Sequence, residues 1–385
     1  MLAIKNGKIF TVTGPVIEKG TILVENGKIV EVGENVSVPA GAEVVDASGK
    51  LIFPGFIDAH CHLGMWETAI GFEGDDGNEM TDPVTPHLRA IDGFNPLDDT
   101  VREAREGGVT ACATGPGSAN VIGGTFMAIK TVGDRVDDMV IKDPVAMKIA
   151  FGENPKRVYN SKNKMPMTRM GTAALLREAL SKAKRYKEQI ERAGDDLSKF
   201  PAFDAKLEAL LPVLRGEIPL KAHAHRADDI FTALRIAKEF GVKITLDHCT
   251  EGHLIAGHIA KEAVPAIVGP SFGHKTKFEL KNKTFETPGI LARAGIKVAI
   301  TTDSPVVPLE TLPLMAGFAV KSGMDPEAAL KAITINPAEI IGIQDRVGSL
   351  EPGKDADIAI FEGHPFEIAS KAWMVLIDGK VVFKR

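Results

Sequence analysis

Leu51-Ile52-Phe53-Pro54-Gly55-Phe56-Ile57-Asp58-Ala59-His60-Cys61-His62 is an apolar run that ends in two imidazoles, and its reading decides the fold. The run has the length and composition of a buried strand. Residues i and i+2 of a strand project to the same side, so His60 and His62 can share one ion. Asp58 lies on that face too, two residues back, where a carboxylate can orient an imidazole. The competing reading is two histidines hydrogen-bonded in a loop, and it must be weighed against the recurrence of the same design.

That recurrence is ordered along the chain. Lys148 sits inside Val145-Ala146-Met147-Lys148-Ile149-Ala150-Phe151, His223 and His225 close residues 219–222, His248 closes residues 243–247, and Asp303 closes residues 297–302. Polar residues ending successive short apolar runs are the pattern of ligands at the C-terminal mouth of a β/α barrel. Residues 108–113 read as a second strand, 125–129 as a third and 264–268 as a seventh, with helices fitting 228–240 and 326–333. Short strands alternating with helical stretches predict parallel βαβ units. The expected class is α/β, a (β/α)8 TIM-like barrel over residues 53–346.

The chain ends read differently. Residues 3–10 and 22–30 each carry Asn-Gly between β-prone arms, a strong hairpin signal, and Asp378-Gly379 repeats the device. Neither end can bury a core alone, so residues 1–52 and 347–385 are expected to pair as one small composite β-sandwich domain. Two insertions interrupt the alternation. Residues 66–97 would lie over the barrel mouth. Residues 172–215 are charged and helical, either a lid or a subunit contact, which leaves a homo-oligomer open.

With 385 residues, the chain can bury one large core plus a small one. A net charge of -5 argues against nucleic acid as the main partner. No apolar segment is long enough for a membrane span, and residues 1–7 lack signal-peptide character, so cytoplasm is the expected location. Cys61, Cys112 and Cys249 form no disulfide framework and read as small buried hydrophobes.

His-x-His at a strand end suits a divalent metal, zinc in the first place, with nickel, iron or cobalt as chemical alternatives. In a closed barrel the last strand lies beside the first, so Asp303 can reach an ion held by His60 and His62. It can also take the proton of a water whose pKa that ion lowers. The competing reading of Asp303 is a helix cap. Lys148 is costly to bury as an ammonium. As a neutral amine it can add carbon dioxide to give a carbamate that bridges two metals, unless it snorkels to the rim; Glu153 rivals it as the bridge. His223 and His248 would hold a second ion, with His225 left to substrate or to supporting a ligand from behind, so one or two ions are expected.

Residues 54–62, Lys148, His223, His248, Thr302-Asp303 and the stretch Gly348-Ser349-Leu350-Glu351-Pro352-Gly353-Lys354-Asp355-Ala356-Asp357 resemble the amidohydrolase superfamily, in its imidazolonepropionase-like and prolidase-like branch. The resemblance spans nearly the whole chain. It implies a metal-bearing barrel joined to a composite β-sandwich, with attack of hydroxide on an amide, cyclic amide or dipeptide bond. By position it implies His60 and His62 on the buried metal, Lys148 as bridge, His223 and His248 on the exposed metal, and Asp303 as ligand and proton shuttle. Residues 151–155 depart from the family's small-residue loop, which keeps Glu153 in competition with Lys148.

Arg226, His274, Lys275 and Lys277 follow the fifth and seventh strands and are candidates for a carboxylate on a small-molecule substrate. His87, Arg89, His253 and His258 are weaker candidates. Gly123-Gly124 fits either a ligand approach or a turn. The acidic run 73–79 lacks EF-hand spacing and reads as a solvated loop. Two other functions stand beside the hydrolase. A mononuclear heterocycle deaminase would, by the resemblance, carry a glutamate shortly after His223 and no bridging lysine, and residues 223–228 offer no glutamate. A non-catalytic binding scaffold would be expected to have lost ligands.

Overall fold

The computed structural model describes residues 1–67 and 71–385; residues 68–70 of the first insertion lie outside them. The strands in chain order are β1 (Leu2–Phe10), β2 (Val16–Glu25), β3 (Lys28–Gly33), β4 (Glu43–Asp46), β5 (Leu51–Pro54), β6 (Phe56–Cys61), β7 (Val109–Thr114) and β8 (Ile122–Lys130). They continue with β9 (Val140–Ala150), β10 (Leu220–Ala224), β11 (Ile244–His248), β12 (Ala266–Val268), β13 (Val298–Ile300), β14 (Ile358–Phe361), β15 (Ala372–Ile377) and β16 (Lys380–Lys384).

Strands β6 to β13 pair in chain order as one eight-stranded sheet that curls into a nearly closed barrel. The apolar run that opened the reading divides at Gly55: β5 ends there and β6 begins. The expected all-parallel alternation fails at one strand. β8 runs antiparallel to both β7 and β9, whereas the other neighbours are parallel. Residues 115–121 are too few for a parallel crossover, which needs about a dozen residues or more. A hairpin-like return is what so short a link permits.

Gly123 and Gly124 lie inside β8 and not at a turn. A Cβ on Gly124, at φ 129°, would stand 2.5 Å from the Leu88 carbonyl oxygen, so this glycine lets residues 84–89 of the first insertion bond along the strand.

First and last strands meet through side chains and loops. The Asp58 carboxylate accepts from the backbone N–H and the hydroxyl of Thr302, both at 2.9 Å, and from the His60 N–H. Asp58 therefore ties the barrel seam and does not orient an imidazole, as had been expected of it. Helices flank the barrel: Asp99–Glu106 before β7, Arg169–Ala193 before β10, Ala227–Phe240 after β10, and Pro326–Lys331 after β13. The 172–215 insertion is helical and its apolar face joins the cluster that includes Leu176, Leu180, Ile230 and Leu234. None of the described helices is long and apolar enough to cross a membrane.

Both chain ends contribute to a second sheet, in the order β16-β15-β14-β5-β1-β2-β3 with β4 on β1. It has its own buried cluster, including Ile4, Ile22, Ile52, Ile358 and Leu376. Asn26-Gly27 and Asp378-Gly379 do make tight turns, with φ of 50°, 79°, 49° and 71°. Asn6-Gly7 does not. β1 runs straight through it with a register shift, Asn6 taking φ 67° as a bulge. The Gly348–Asp357 stretch has a structural use: Asp355 and Asp357 hold the buried Lys130 ammonium, at the end of β8, at 2.8 and 2.9 Å.

Candidate metal centre

Six strand-end side chains converge at one mouth of the barrel. His60 and His62 project together from the end of β6, and Asp303 reaches them from beyond β13, its Oδ1 lying 3.3 Å from His60 Nε2 and 3.1 Å from His62 Nε2. His223, His225 and His248 form a second group, with ring centroids 4.3 to 4.8 Å apart. The two groups abut, since the His60 and His248 rings are 4.9 Å apart. His248 and Asp303 sit at φ 68° and 55°, a left-handed backbone that non-glycine residues rarely adopt. That kink explains how Asp247 and His248, neighbours on one strand, both serve the interior.

Hydrogen bonds fix the imidazole faces. His62 Nδ1 lies 2.7 Å from the Gly115 carbonyl and His248 Nδ1 lies 2.8 Å from the Gly269 carbonyl. A carbonyl only accepts, so each Nδ1 carries the proton and each Nε2 is left as a lone pair. His60 Nδ1 lies 2.8 Å from Asp247 Oδ2 without the alignment of a hydrogen bond; a carboxylate that only accepts still favours the proton on that nitrogen. Burial lowers the pKa of His60, and brings that of His248 to about 3, so both rings are neutral near pH 7. Two bare nitrogens then point at a carboxylate oxygen, Asp303 Oδ1, that has no hydrogen-bond donor. The Lys148 ammonium, 3.3 Å from His60 Nε2, is the donor found beside these three acceptors, and two histidines plus a carboxylate are a donor set suited to a divalent metal.

Lys148 lies on β9, fully buried, its Nζ 3.3 Å from His60 Nε2. Burial brings its pKa down to about 8. Glu153 stands further out, half-buried, with Oε1 accepting the Glu279 N–H and Oε2 3.6 Å from Arg157. Phe126, on the antiparallel strand, floors the centre: its ring stacks on His60 at 5.4 Å and lies under the Lys148 and Lys221 ammonium groups at 5.5 and 5.4 Å.

Sequence reasoning passed over several residues. Asp247 is the carboxylate that faces His60, and it is itself held by Lys221 at 3.2 Å and by the Thr245 hydroxyl at 3.0 Å. Lys221 carried a readable signal, since it shares with His223 and His225 the inward face of an apolar strand, as Lys148 does of its own. Glu279 lies on a loop and had none.

A cavity of about 1100 Å³ opens above the centre, bounded by Trp66, Asn78, Phe272, Lys277, Leu314 and Phe318 among others. Trp66 stands edge-on to His62 at 4.8 Å. The acidic run 73–79 is docked rather than freely solvated: Asp76 N–H bonds the Met65 carbonyl, Asn78 accepts from Ala119 N–H, and Asp75 and Asn78 border the cavity. Of the proposed substrate residues, His225, His274 and Lys277 line it. Arg226 and Lys275 do not. The Arg226 guanidinium is clamped on Asp228 by two 2.9 Å bonds, and Lys275 bonds the Lys281 carbonyl. His87, Arg89, His253 and His258 also lie outside the cavity lining, Arg89 being paired with Asp143. The three cysteines are buried and free.

Residues 51–382 match the family described as the amidohydrolase family. The chain belongs to that family. An amidohydrolase from Thermotoga maritima MSB8 has a crystal structure that superposes with a TM-score of 0.97 at 46% identity, over 100% of both chains. Amidohydrolase tasK of Hapsidospora irregularis is 32% identical over 94% of this chain, which spans only 40% of that relative's length. An imidazolonepropionase of Mesorhizobium japonicum is 26% identical, with 90% and 87% of the two chains covered. Amidohydrolases as a family are hydrolytic enzymes that generally use divalent metals; in this chain two groups of side chains, His60 with His62 and Asp303, and His223 with His225 and His248, could hold such an ion.

Proposed function

We propose that the protein is a metal-dependent hydrolase that cleaves a C–N bond, amide, cyclic amide or dipeptide, in a small molecule. The observation that carries this reading is the Asp303 carboxylate oxygen, which has no donor, set against the Nε2 atoms of His60 and His62. His60, His62 and Asp303 would hold one ion, zinc in the first place, and His223 with His248 a second. Such an ion supplies Lewis acidity, polarising the scissile carbonyl and lowering the pKa of water toward neutrality. Asp303 accepts the proton of the attacking water and returns it to the leaving nitrogen. Asp247 holds the His60 ring with Nε2 toward Asp303. Lys277 offers positive charge and His274 a ring N–H to a substrate carboxylate at the rim, and Trp66 and Phe272 cover apolar parts. The division into residues 1–52 with 347–385 and residues 53–346 belongs to the same reading, supported by the separate apolar cluster of the terminal sheet.

The test compares metal-loaded with chelator-treated protein on N-acyl amino acids, dipeptides, cyclic amides and aminated heterocycles. Metal-dependent hydrolysis of one of the first three classes is expected. Ammonia release from the heterocycles alone would favour the deaminase, and ligand binding without turnover the scaffold.

Lys148 is the preferred bridge, because its amine is buried beside His60 while the Glu153 carboxylate is engaged elsewhere. With a pKa near 8 it has an appreciable neutral fraction at neutral pH, which is the form that adds carbon dioxide. Metal-loaded protein grown with carbon-13 bicarbonate is expected to show a carbamate carbonyl resonance that Lys148→Met lacks. Metal-loaded protein with a bare Lys148 amine would return the bridge to Glu153.

A further inference from the structure

The cavity above the centre is lined by two unlike sets of residues. In the apolar set, the chain leaves Asp303 as Pro305-Val306-Val307-Pro308 and enters the helix Leu312–Lys321, whose Leu314 and Phe318 share a face at i and i+4. Phe272, on the loop after β12, stacks on Phe318 at 5.4 Å, and Phe318 stacks in turn on Phe285 at 4.9 Å. The polar set includes Asn78, Ser118, Asn154, Arg157 and Lys277. Phe272 is 49% exposed, Val306 65% and Ile368 89%. Single exposed apolar residues are ordinary on a protein surface. Several gathered in one cavity and rimmed by polar groups mark a binding site.

Phe272 is also held in place. Lys283 Nζ donates to the carbonyls of Phe272, Gly273 and His274 at 3.1, 2.8 and 3.0 Å, which uses all three of its N–H bonds. A loop clasped in this way beside an aromatic stack presents Phe272 before a ligand arrives, and a preformed surface loses less freedom on binding. Lys283 is therefore committed to the loop and not to a substrate carboxylate. Lys277 is not so committed, since its Nζ stands 3.7 Å from Glu279 Oε1, beyond hydrogen-bond reach.

We propose that this wall selects substrates with one large apolar group, aromatic or branched aliphatic, beside the scissile bond, with Phe272 as the specificity-determining residue and Lys283 as the residue that positions it. The inference rests on the hydrolase reading above and narrows it to amides and dipeptides that carry a bulky apolar acyl group or side chain. At about 1100 Å³ the cavity exceeds the roughly 300–1,000 Å³ of ordinary small-molecule sites. A small polar ring held at Asp303 would leave Phe272, Val306 and Leu314 in water. The group belongs beside the scissile bond because Pro305 and Val306, close after Asp303 in the chain, line the same space.

Two series of measurements test this. In the first, metal-loaded protein is given glycylglycine, leucylglycine, phenylalanylglycine, glycylleucine, glycylphenylalanine and the acetyl and 3-phenylpropionyl amides of glycine. From the smallest to the best bulky member, kcat/KM is expected to rise about 10- to 100-fold, the worth of burying one large side chain. Phe272→Ala and Lys283→Met should each lower that ratio at least about fivefold. In the second, calorimetry measures the binding of acetate, 4-methylpentanoate and 3-phenylpropionate to the same protein. Coordination to an ion is common to the three acids and cancels in their ratios, and no turnover is needed. 3-Phenylpropionate is expected to bind at least about tenfold more tightly than acetate, with most of that preference lost in Phe272→Ala. Equal affinities across the acids, or a preference that survives both variants, would overturn the proposal. If the acids bind in the expected order while no dipeptide or acylglycine is hydrolysed, apolar selection stands and the hydrolase reading fails.

Discussion

Asp303→Asn is expected to lower kcat/KM on the hydrolysed amide by about a thousandfold, within the 10²–10⁴ range of a positioned general base, while leaving the fold intact. The amide has the shape of the carboxylate, and its NH2 can donate to the Nε2 lone pairs of His60 and His62, which gives those buried rings a donor. It cannot accept and return a proton. A carboxylate is ionised at neutral pH by its ordinary acidity, and a bound divalent ion would favour the same form, so wild-type activity should decline only on acidification. Steady-state kinetics with metal content and thermal unfolding measured in parallel separate the cases. A variant that keeps its metal and its melting temperature but loses turnover is expected; wild-type rates would remove Asp303 from the reaction.

The reach of sequence reading can be judged from particular residues. His60, His62, Lys148, His223, His248 and Asp303 were readable because each interrupts or ends an apolar strand, where a polar side chain is costly unless it is used. Their convergence follows from the curled sheet, which brings strands far apart in sequence to one mouth. Arg226 and Lys275 were misplaced because the same position after a strand also suits an ion pair or a loop bond, and charge alone does not choose. Glu279 was invisible because loop conformation, not periodicity, aims it.

Fold reading failed where connection length was left out. Periodicity finds a strand at 125–129 but not its direction, and only the brevity of residues 115–121 shows that β8 must run back. The consequence is functional, because this strand delivers Phe126 beneath His60, Lys148 and Lys221. At Asn6-Gly7 the dipeptide that favours a hairpin also tolerates a bulge, and the continuous pairing of β1 with β2 decided between them.

Asp247→Asn should be the most destabilising single change in the centre. Asp247 is fully buried between the Lys221 ammonium at 3.2 Å and His60 Nδ1 at 2.8 Å, and removing one member of a buried pair costs about 3–5 kcal/mol. Burial acts to raise its pKa, but Lys221 and His60 overcome it and hold the carboxyl well below its ordinary value of 3.8. For a depressed folded-state pKa, the stabilisation is complete above the unfolded value and is lost as pH falls toward the folded one. The gap between wild type and Asp247→Asn, measured by urea unfolding of metal-free protein, should therefore be constant from about pH 6 to 8 and close only in strong acid. Lys221→Met introduced alongside should restore part of the loss, because it removes the charge left without a partner. Freed of Asp247, the His60 ring is no longer held with Nε2 toward Asp303, and metal affinity at that ion should fall about 10- to 100-fold. Equal stability and equal metal affinity in Asp247→Asn would mean that the ring is fixed by Phe126 packing alone, and that the buried carboxylate serves only to neutralise Lys221.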